Sequence, residues 1–190
     1  MSPVFGIWAM SILCAVHPFE ETKFQSVFEQ QSDSSCGIAS VASLASLFWG
    51  IDMTEDRLLR LFHLADGQVS GFTMYDLKSL LEYLGFTAEG FRLEYKDLLE
   101  ASHRYGPTVV HLDLDGGHFV LFLGEAGGYT VLGDPSRGCV AVATREFVSV
   151  WTRTALVVFH PDHHLDEQAI SQATGAAYRR LEILRRWCEG

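Results

Sequence analysis

Residues 30–40 read QQSDSSCGIAS, and this change from polar to apolar sequence decides how the first half of the chain is built. Beyond the cysteine, apolar side chains recur every three or four residues, at Ile38, Val41, Ala42, Ala45, Phe48 and Trp49. This spacing predicts an amphipathic helix over residues 36–49. Ser34 and Ser35 are the candidate caps at its start, and Gly50 is the candidate stop.

Cys36 lies in the first turn of this predicted helix, directly before Gly37. Free backbone N–H groups and the helix dipole stabilise a thiolate there, and such a position lowers a cysteine pKa from about 8.5 into roughly the 3.5–7.5 range. A thiolate attacks an amide carbonyl whereas a neutral thiol is a poor nucleophile, and we expect Gly37 to leave the approach to the sulfur uncrowded. Taken alone, such a cysteine is more often a small, buried apolar side chain.

The rest of the sequence divides into helical segments followed by β-rich segments. Further helices are predicted over residues 54–62, 74–85 and 95–102. Strands are predicted over residues 107–114, 118–123, 129–132, 139–143 and 155–159, with a helical turn at 147–151. Helices first and an antiparallel sheet afterwards predict an α+β fold.

An amphipathic helix over residues 166–187 closes the chain. Its predicted apolar stripe consists of Ile170, Ala173, Ala177, Leu181 and Leu184. With 190 residues, the chain has the length of a single domain. The predicted division is an apolar N-terminal segment over residues 1–17, one domain over 18–165 and the C-terminal helix over 166–190.

A histidine and an aspartate stand at the ends of neighbouring predicted strands. His118 begins a strand after Gly116 and Gly117, two residues that let another segment approach closely. From there its imidazole can reach a helix N-terminus and accept a thiol proton. Asp134 ends the next strand, where its carboxylate can orient the imidazole. Taken singly, such a histidine is usually structural, and an aspartate before a proline is common in turns.

Gln30 lies six residues before Cys36. A glutamine amide can donate a hydrogen bond to the oxyanion that forms when a thiolate attacks a carbonyl, and one such donor contributes about 2.7–4 kcal/mol in the transition state. The neighbouring Gln31 can in principle serve instead. On its own, a glutamine in a polar segment is most often a solvated side chain.

These motifs occur together in a fixed order. They are QQSDSSCGIAS at 30–40, GFTMYDL at 71–77, GHFV at 117–120, GDPSRG at 133–138, and REF with a later tryptophan at 145–151. This combination resembles the bacteriocin-processing, or double-glycine, peptidase family, whose fold is papain-like. The likeness covers residues 28–160. It implies that Cys36 is the nucleophile, His118 the base, Asp134 the orienting carboxylate and Gln30 the oxyanion donor.

The chain also departs from that family. Its classical members form the N-terminal part of a peptide-exporting transporter, whereas only residues 162–190 follow here, without membrane spans or a nucleotide-binding loop. We therefore expect a free-standing relative, similar to those encoded beside secretion or functional-amyloid export systems. Cleavage after a Gly-Gly leader is implied by the resemblance alone, and a narrow cleft that excludes side chains would support it.

Residues 4–16 (VFGIWAMSILCAV) form an uncharged N-terminal stretch. Thirteen residues are too few for a membrane-spanning helix, which needs roughly 20. The length suits a signal peptide and hence a periplasmic or exported protein. However, no Lys or Arg lies in residues 1–3 and no small-x-small cleavage site precedes Pro18. A packed or interfacial segment of a cytoplasmic protein is the alternative.

The composition excludes several kinds of function. The formal charge of −10 and the absence of basic runs with interleaved aromatics argue against nucleic-acid binding. The cysteines at positions 14, 36, 139 and 188 have no metal-binding spacing and are too few for a disulfide scaffold, although a Cys139–Cys188 disulfide is conceivable. Residues 160–166 (HPDHHLD) are interpreted as a strand end that leads into a helix cap rather than as a metal site. No metal or cofactor is expected.

Three functions are compatible with this sequence. The favoured one is a cysteine peptidase that hydrolyses a peptide or an exported protein. The second is a module of the same fold that binds a peptide without cutting it. The third is an acyl-transfer enzyme of the transglutaminase type, which uses the same thiol chemistry but delivers the acyl group to an amine.

Overall fold

A computed structural model describes residues 23–61, 71–114 and 116–188 of the chain. The apolar N-terminal segment, Cys14 and the predicted end of the second helix at Phe62 lie outside the described residues. The predicted domain boundaries stay predictions.

The helix predicted from residue 36 is present, with a change of helix type in its second half. Helix α1 covers Cys36–Ser43 and continues as a π-helical turn over Leu44–Phe48. Gly50 follows with a φ of 64°, which agrees with its predicted role as a stop. The predicted serine caps are wrong, since no side chain caps this helix. Ser35 stands at the N-cap position, but its hydroxyl donates to Ser32 O (2.9 Å).

Three more helices precede or interrupt the sheet. They are α2 at Glu55–Leu61, α3 at Met74–Tyr83 and α4 at Tyr95–Tyr105. A capping box begins α3, in which the Asp76 N–H donates to Thr73 Oγ1 (3.2 Å) and the Thr73 N–H donates to Asp76 Oδ2 (2.8 Å).

The strands form one antiparallel sheet with the order β1-β6-β2-β3-β4-β5. Their bounds are β1 Thr87–Arg92, β2 Thr108–Leu112, β3 His118–Ala126, β4 Tyr129–Asp134, β5 Gly138–Ala143 and β6 Trp151–Phe159. A short helix α5 at Thr144–Val150 links β5 to β6. The sequence analysis missed β1, because this edge strand buries only Ala88 and therefore lacks a periodic apolar pattern.

Strand β3 separates the two halves of the hydrophobic core. Phe119, Leu121 and Leu123 belong to the larger half, which lies against α1 and α3. Val120 and Phe122 belong to the smaller half, which lies against α4 and α5. Strand β3 is thus buried on both faces, and it is the base on which the N-terminal helices rest.

The closing helix α6 covers Glu167–Cys188. Ala173 and Ala177 are buried as predicted, but Leu184 is 51% exposed, so the predicted apolar stripe is wrong at its far end. A helix of 22 residues is about 33 Å long, whereas the six residues of the strand β5 beneath it span about 20 Å. Within the described part of the chain, no helix has both the length and the apolar character to cross a membrane.

Candidate active site

The position of Cys36 is set by two contacts between helix α1 and strand β3. The Phe119 N–H donates to Cys36 Sγ (3.5 Å), and Ser40 Oγ, one turn along the same helix face, donates to Phe119 O (3.2 Å). The backbone N–H and the backbone carbonyl of Phe119 are thereby both hydrogen-bonded to helix α1. This docking fixes the helix start beside His118, the residue that precedes Phe119.

The glycines before His118 are required by the backbone. Gly116 and Gly117 have φ values of 90° and 116°, in a region that side chains disfavour. A Cβ on Gly117 would also lie 2.7 Å from Nε2 of His111. The predicted close approach is therefore real, and the neighbour that approaches is His111 on β2.

Asp134 ends β4 and is 3% exposed. Its Oδ1 accepts hydrogen bonds from the Ser136 N–H and the Ser136 hydroxyl (both 2.8 Å), and it lies 2.8 Å from His118 Nε2. Burial raises the pKa of Asp134, but the bonds and charge of His118 and the bonds from Ser136 outweigh burial and hold the pKa below its ordinary value. Asp134 is therefore an ionised acceptor aimed at the imidazole.

The His118 ring lies between the Asp134 carboxylate, to which it is hydrogen-bonded, and the Cys36 thiol, with which it interacts electrostatically. Because Nε2 of His118 is hydrogen-bonded to Asp134 Oδ1, Nδ1 is the ring nitrogen that remains for the thiol of Cys36. Burial lowers the pKa of His118, but the hydrogen bonds and negative charges of Asp134 and Cys36 raise it to about 9. The ring is therefore a strong base towards the sulfur.

The thiol of Cys36 is correspondingly acidic. Burial raises its pKa, but the hydrogen bond and charge of His118 and the backbone N–H groups of Phe119 and Gly37 outweigh burial and lower the pKa below its ordinary value. Because the pKa of His118 is raised to about 9 and the pKa of Cys36 is lowered, proton transfer from sulfur to nitrogen is favoured and leads to a thiolate–imidazolium pair.

Access to this pair is narrow. A cavity of about 360 Å³ reaches His118 and is lined by Gln30, Asp33, Leu114, Gly117, His118, Ser136 and Arg137. Cys36 is not among these lining residues and has 7% of its surface exposed. A Cβ on Gly37 would lie 3.0 Å from Leu77 and 3.3 Å from Phe119, so Gly37 lets α1 pack closely on its neighbours. The expectation that Gly37 keeps the approach to the sulfur uncrowded stays a prediction.

Gln30 lines the same cavity as His118. Its backbone N–H donates to Pro135 O (3.0 Å), which ties it to the turn that holds Asp134. Its Nε2 donates one hydrogen to Ser32 O (2.9 Å), and its Oε1 is buried without a hydrogen-bond partner among the described residues. Gln31 is more exposed than Gln30 and does not line this cavity.

The profile of the peptidase C39 family matches residues 25–163, which is most of the chain. The chain belongs to this family. Family membership confirms the resemblance that the sequence motifs indicated, and the match contains the whole Cys36, His118 and Asp134 arrangement.

Curated relatives agree with this assignment. The protein named "Probable functional amyloid protease FapD" of Pseudomonas aeruginosa is 31% identical over 149 residues, which cover 75% of this chain and 64% of that protein. The protein of the same name from Pseudomonas fluorescens is 28% identical, with the same coverage. The match thus spans less than two thirds of the length of these relatives. The Lactococcus lactis protein named "Lactococcin-G-processing and transport ATP-binding protein LagD" is 25% identical, over 68% of this chain and 18% of its own length.

Solved structures show the same fold at lower sequence identity. The peptidase domain of Streptococcus ComA superposes with a TM-score of 0.62 at 22% identity, over 71% of this chain and 98% of that domain. A double-glycine motif protease from an AMS/PCAT transporter, solved with its leader peptide, has a TM-score of 0.51 at 22% identity, over 72% and 94%. The predicted α+β, papain-like fold class is confirmed.

The other described thiol of this C39 family member differs sharply from Cys36. Cys139 is a free thiol that is 1% exposed, and its sulfur donates to Ala173 O (3.5 Å). Burial raises its pKa to about 12 although Arg180 lowers it. Cys139 is therefore neutral at physiological pH, and its free thiol does not support the conceivable disulfide with Cys188, whose side chain lies outside the described residues.

The histidines near residue 160 are bonded to the backbone. His160 is buried, with Nε2 beside Leu84 O (3.2 Å) and Nδ1 accepting from the His163 N–H (3.2 Å). Asp166 Oδ1 accepts from the Ala169 N–H (2.8 Å) at the start of α6. The interpretation as a strand end and helix cap is thus confirmed. Among the described residues, no group of three His, Cys, Asp or Glu side chains is arranged to hold a metal.

Sequence reasoning gave no role to two side chains that hold the site together. Ser40 bonds the residue after the histidine, and Ser136 donates two hydrogen bonds to the aspartate. The contact of Ser136 could have been predicted from the sequence, because a serine two residues after an aspartate commonly closes an Asx turn. The contact of Ser40 depends on how helix α1 packs on the distant strand β3, and no local sequence pattern predicts that packing.

Proposed function

We propose that this chain is a cysteine peptidase in which Cys36 attacks the peptide carbonyl and His118 moves the protons. Asp134 orients the imidazole, and Gln30 stabilises the oxyanion. The observation that carries the proposal is the chain of contacts from a thiol of lowered pKa, through an imidazole, to an ionised buried carboxylate. A cysteine held only as core packing needs no such partners.

The reaction divides into two steps that use the same pair. In acylation, the Cys36 thiolate forms a C–S bond to the carbonyl carbon, and the His118 imidazolium gives its proton to the leaving amine as the C–N bond breaks. In deacylation, neutral His118 removes a proton from a water molecule, the resulting hydroxide attacks the thioester, and the thiolate leaves. The net result is addition of one water across the peptide bond.

Two features support Gln30 as the oxyanion donor. It shares the cavity with His118, and only one of the two Nε2 hydrogens is used within the loop, by Ser32 O. The backbone N–H groups at the start of α1 supply further donors near the sulfur.

The proposed substrate is an exported peptide or protein that is cut after small residues such as Gly-Gly. The low exposure of Cys36 favours a backbone without bulky side chains at the reacting carbonyl, since glycine leaves most room around it. The relatives' names refer to a functional amyloid, to lactococcin G and to a double-glycine motif. Together these support a partner in a secretion or functional-amyloid export system.

We propose that the enzyme acts in the periplasm or outside the cell. The uncharged stretch at residues 4–16 has the length of a signal-peptide core, which supports this location. Cell fractionation of the host tests it directly. Recovery of the protein in the cytoplasmic fraction would contradict it.

The cleavage reaction is tested with proteins encoded near the gene. Each is incubated with the wild-type chain and with Cys36→Ala, and the products are analysed by mass spectrometry. We expect one new pair of fragments whose masses sum to the substrate plus one water, in the wild-type sample alone. Fragments joined to an added amine instead would show acyl transfer, and the hydrolase assignment would then be wrong.

Thiol labelling distinguishes an enzyme from a module that only binds peptides. At about pH 6–7 we expect iodoacetamide to modify Cys36 at least about 100-fold faster than Cys139, because one pKa is lowered by His118 and the other is raised by burial to about 12. Peptide mapping after a timed quench measures both rates. Equal rates at the two sites would indicate a binding module without an activated thiol.

A further inference from the structure

Glu55 is a buried carboxylate outside the catalytic contacts described above. It is the first residue of α2, 4% exposed, and lies behind the loop that joins Gln30 to Cys36. Among the described residues, no Lys or Arg lies within ion-pair distance of it. Burying an acid without a cation costs free energy, so its hydrogen bonds must offset that cost.

The hydrogen bonds of Glu55 all go to the loop before Cys36. Both carboxylate oxygens accept from the Gln31 N–H, at 3.2 and 3.4 Å. Burial raises the pKa of Glu55 and outweighs the lowering of that pKa by the nearby Ser35 side chain and the Gln31 N–H. The carboxylate thus holds the loop at Gln31, next to Gln30.

The opposite side of the loop is bound to the sheet. The Gln30 N–H donates to Pro135 O (3.0 Å), next to Asp134. Ser35 closes the loop on itself, since its N–H and its hydroxyl both donate to Ser32 O (3.1 and 2.9 Å). The orientation of the Gln30 amide therefore depends on two supports, one from the sheet and one from Glu55.

We propose that Glu55 is a positioning residue for the oxyanion donor: by holding the Gln31 N–H it fixes the loop so that the Gln30 amide faces the reacting carbonyl. The inference rests on the proposed peptidase function and extends it to a residue on another helix. Glu55 touches neither substrate nor sulfur. Its effect is confined to the oxyanion, and formation of the thiolate–imidazolium pair does not require it.

Because Glu55 is proposed to affect the oxyanion but not the thiolate, its role can be distinguished from a purely structural one, which would change both. Alkylation by iodoacetamide needs the thiolate but forms no oxyanion, whereas peptide hydrolysis needs both. In Glu55→Asp the carboxylate is one methylene too short to reach the Gln31 N–H. We expect kcat to fall about 10- to 100-fold with KM within about 2-fold, while the alkylation rate at pH 6.5 stays within about 2-fold of wild type.

Two further variants control for shape and charge. Glu55→Gln keeps the side-chain length and one acceptor oxygen, and we expect it to retain kcat within about 5-fold of wild type. The matched control is Asp56→Asn, in which the neighbouring exposed carboxylate, paired with Arg60, loses its charge; we expect no change in any rate. Thermal unfolding shows that each variant is folded at the assay temperature.

A double mutant tests the route through Gln30. If Glu55 acts by orienting that amide, then Glu55→Asp in a Gln30→Ala background lowers kcat by less than about 2-fold further. Full additivity of the two losses would overturn the inference, as would an equal fall in alkylation and hydrolysis, or an unchanged kcat in Glu55→Asp.

Failure of the inference is distinguishable from failure of the proposed function. If wild type cleaves its substrate, Cys36→Ala does not, and Glu55→Asp matches wild type, then only the role of Glu55 is wrong. If Cys36→Ala cleaves as fast as wild type, the peptidase mechanism is wrong and the role of Glu55 is overturned with it.

Discussion

Cys36→Ala is expected to lower kcat by at least about 10⁴-fold while leaving the protein folded. Alanine removes the only described thiol whose pKa is lowered, and no other described nucleophile lies against His118. The substitution sits at the start of a helix and deletes one atom, so a change in Tm of less than about 4 °C is expected. Peptide hydrolysis and thermal unfolding of the same preparation measure both effects.

The matched control for this variant is Cys139→Ala. That sulfur is more deeply buried than Cys36 and lies under α6, so its removal should cost stability rather than activity. We expect wild-type kcat at a temperature where the control is folded. Turnover that survives in Cys36→Ala, or is lost in Cys139→Ala, would contradict the assignment of the nucleophile.

His118→Ala is expected to reduce turnover nearly as much, by about 10⁴-fold at pH 7. The variant loses the group that takes and returns the proton, and it also changes the sulfur. Loss of the hydrogen bond and charge of His118 removes two of the causes that lower the thiol pKa of Cys36, so this pKa rises above its wild-type value. Alkylation by iodoacetamide at pH 7 should therefore fall together with hydrolysis, by about 10-fold or more.

The exposed His103 on α4 provides the control, since His103→Ala should leave both rates unchanged. A His118→Ala protein that keeps wild-type alkylation would show that the imidazole does not activate the sulfur. In that case the lowered pKa of Cys36 would have to come from the helix start alone.

The pH dependence follows from the same pair. Activity of the wild type should rise as the thiol ionises and fall again near pH 9, because loss of the imidazolium proton leaves no donor for the departing amine. Asp134→Ala removes an interaction that raises the His118 pKa, so the alkaline limb should move to lower pH while measurable activity remains. Gln30→Ala should also retain residual activity, but its activity should fall at the same alkaline pH as that of the wild type. An alkaline limb unmoved in Asp134→Ala would argue against its orienting role.

Much of the catalytic geometry could be read from the sequence because it depends on short-range patterns. The helix from Cys36, the doubly buried strand from His118 and the end of the next strand at Asp134 are each local features. Antiparallel pairing of β3 with β4 then brings the last two together. The catalytic roles themselves stay predictions until the variants above are measured.

The features that sequence analysis missed arise from contacts between distant segments. Glu55 looks like an ordinary acidic residue at a helix start, and only the fold places it behind the loop before Cys36. A side chain at Gly37 would collide with Leu77 and Phe119, which are distant in the sequence. The edge strand β1 forms by pairing with β6, the last strand in the chain. Local periodicity contains no information about such partners.

The distance along the chain between Cys36 and its partner on β3 has a consequence for biosynthesis. The contact between Phe119 and the sulfur joins residues 83 positions apart, whereas His118 and Asp134 are 16 apart. During translation the Cys36 thiol is therefore synthesised well before His118. A chain that ends before β3 is expected to carry a thiol without the imidazole that lowers its pKa, so the nucleophile is activated only once the sheet has formed.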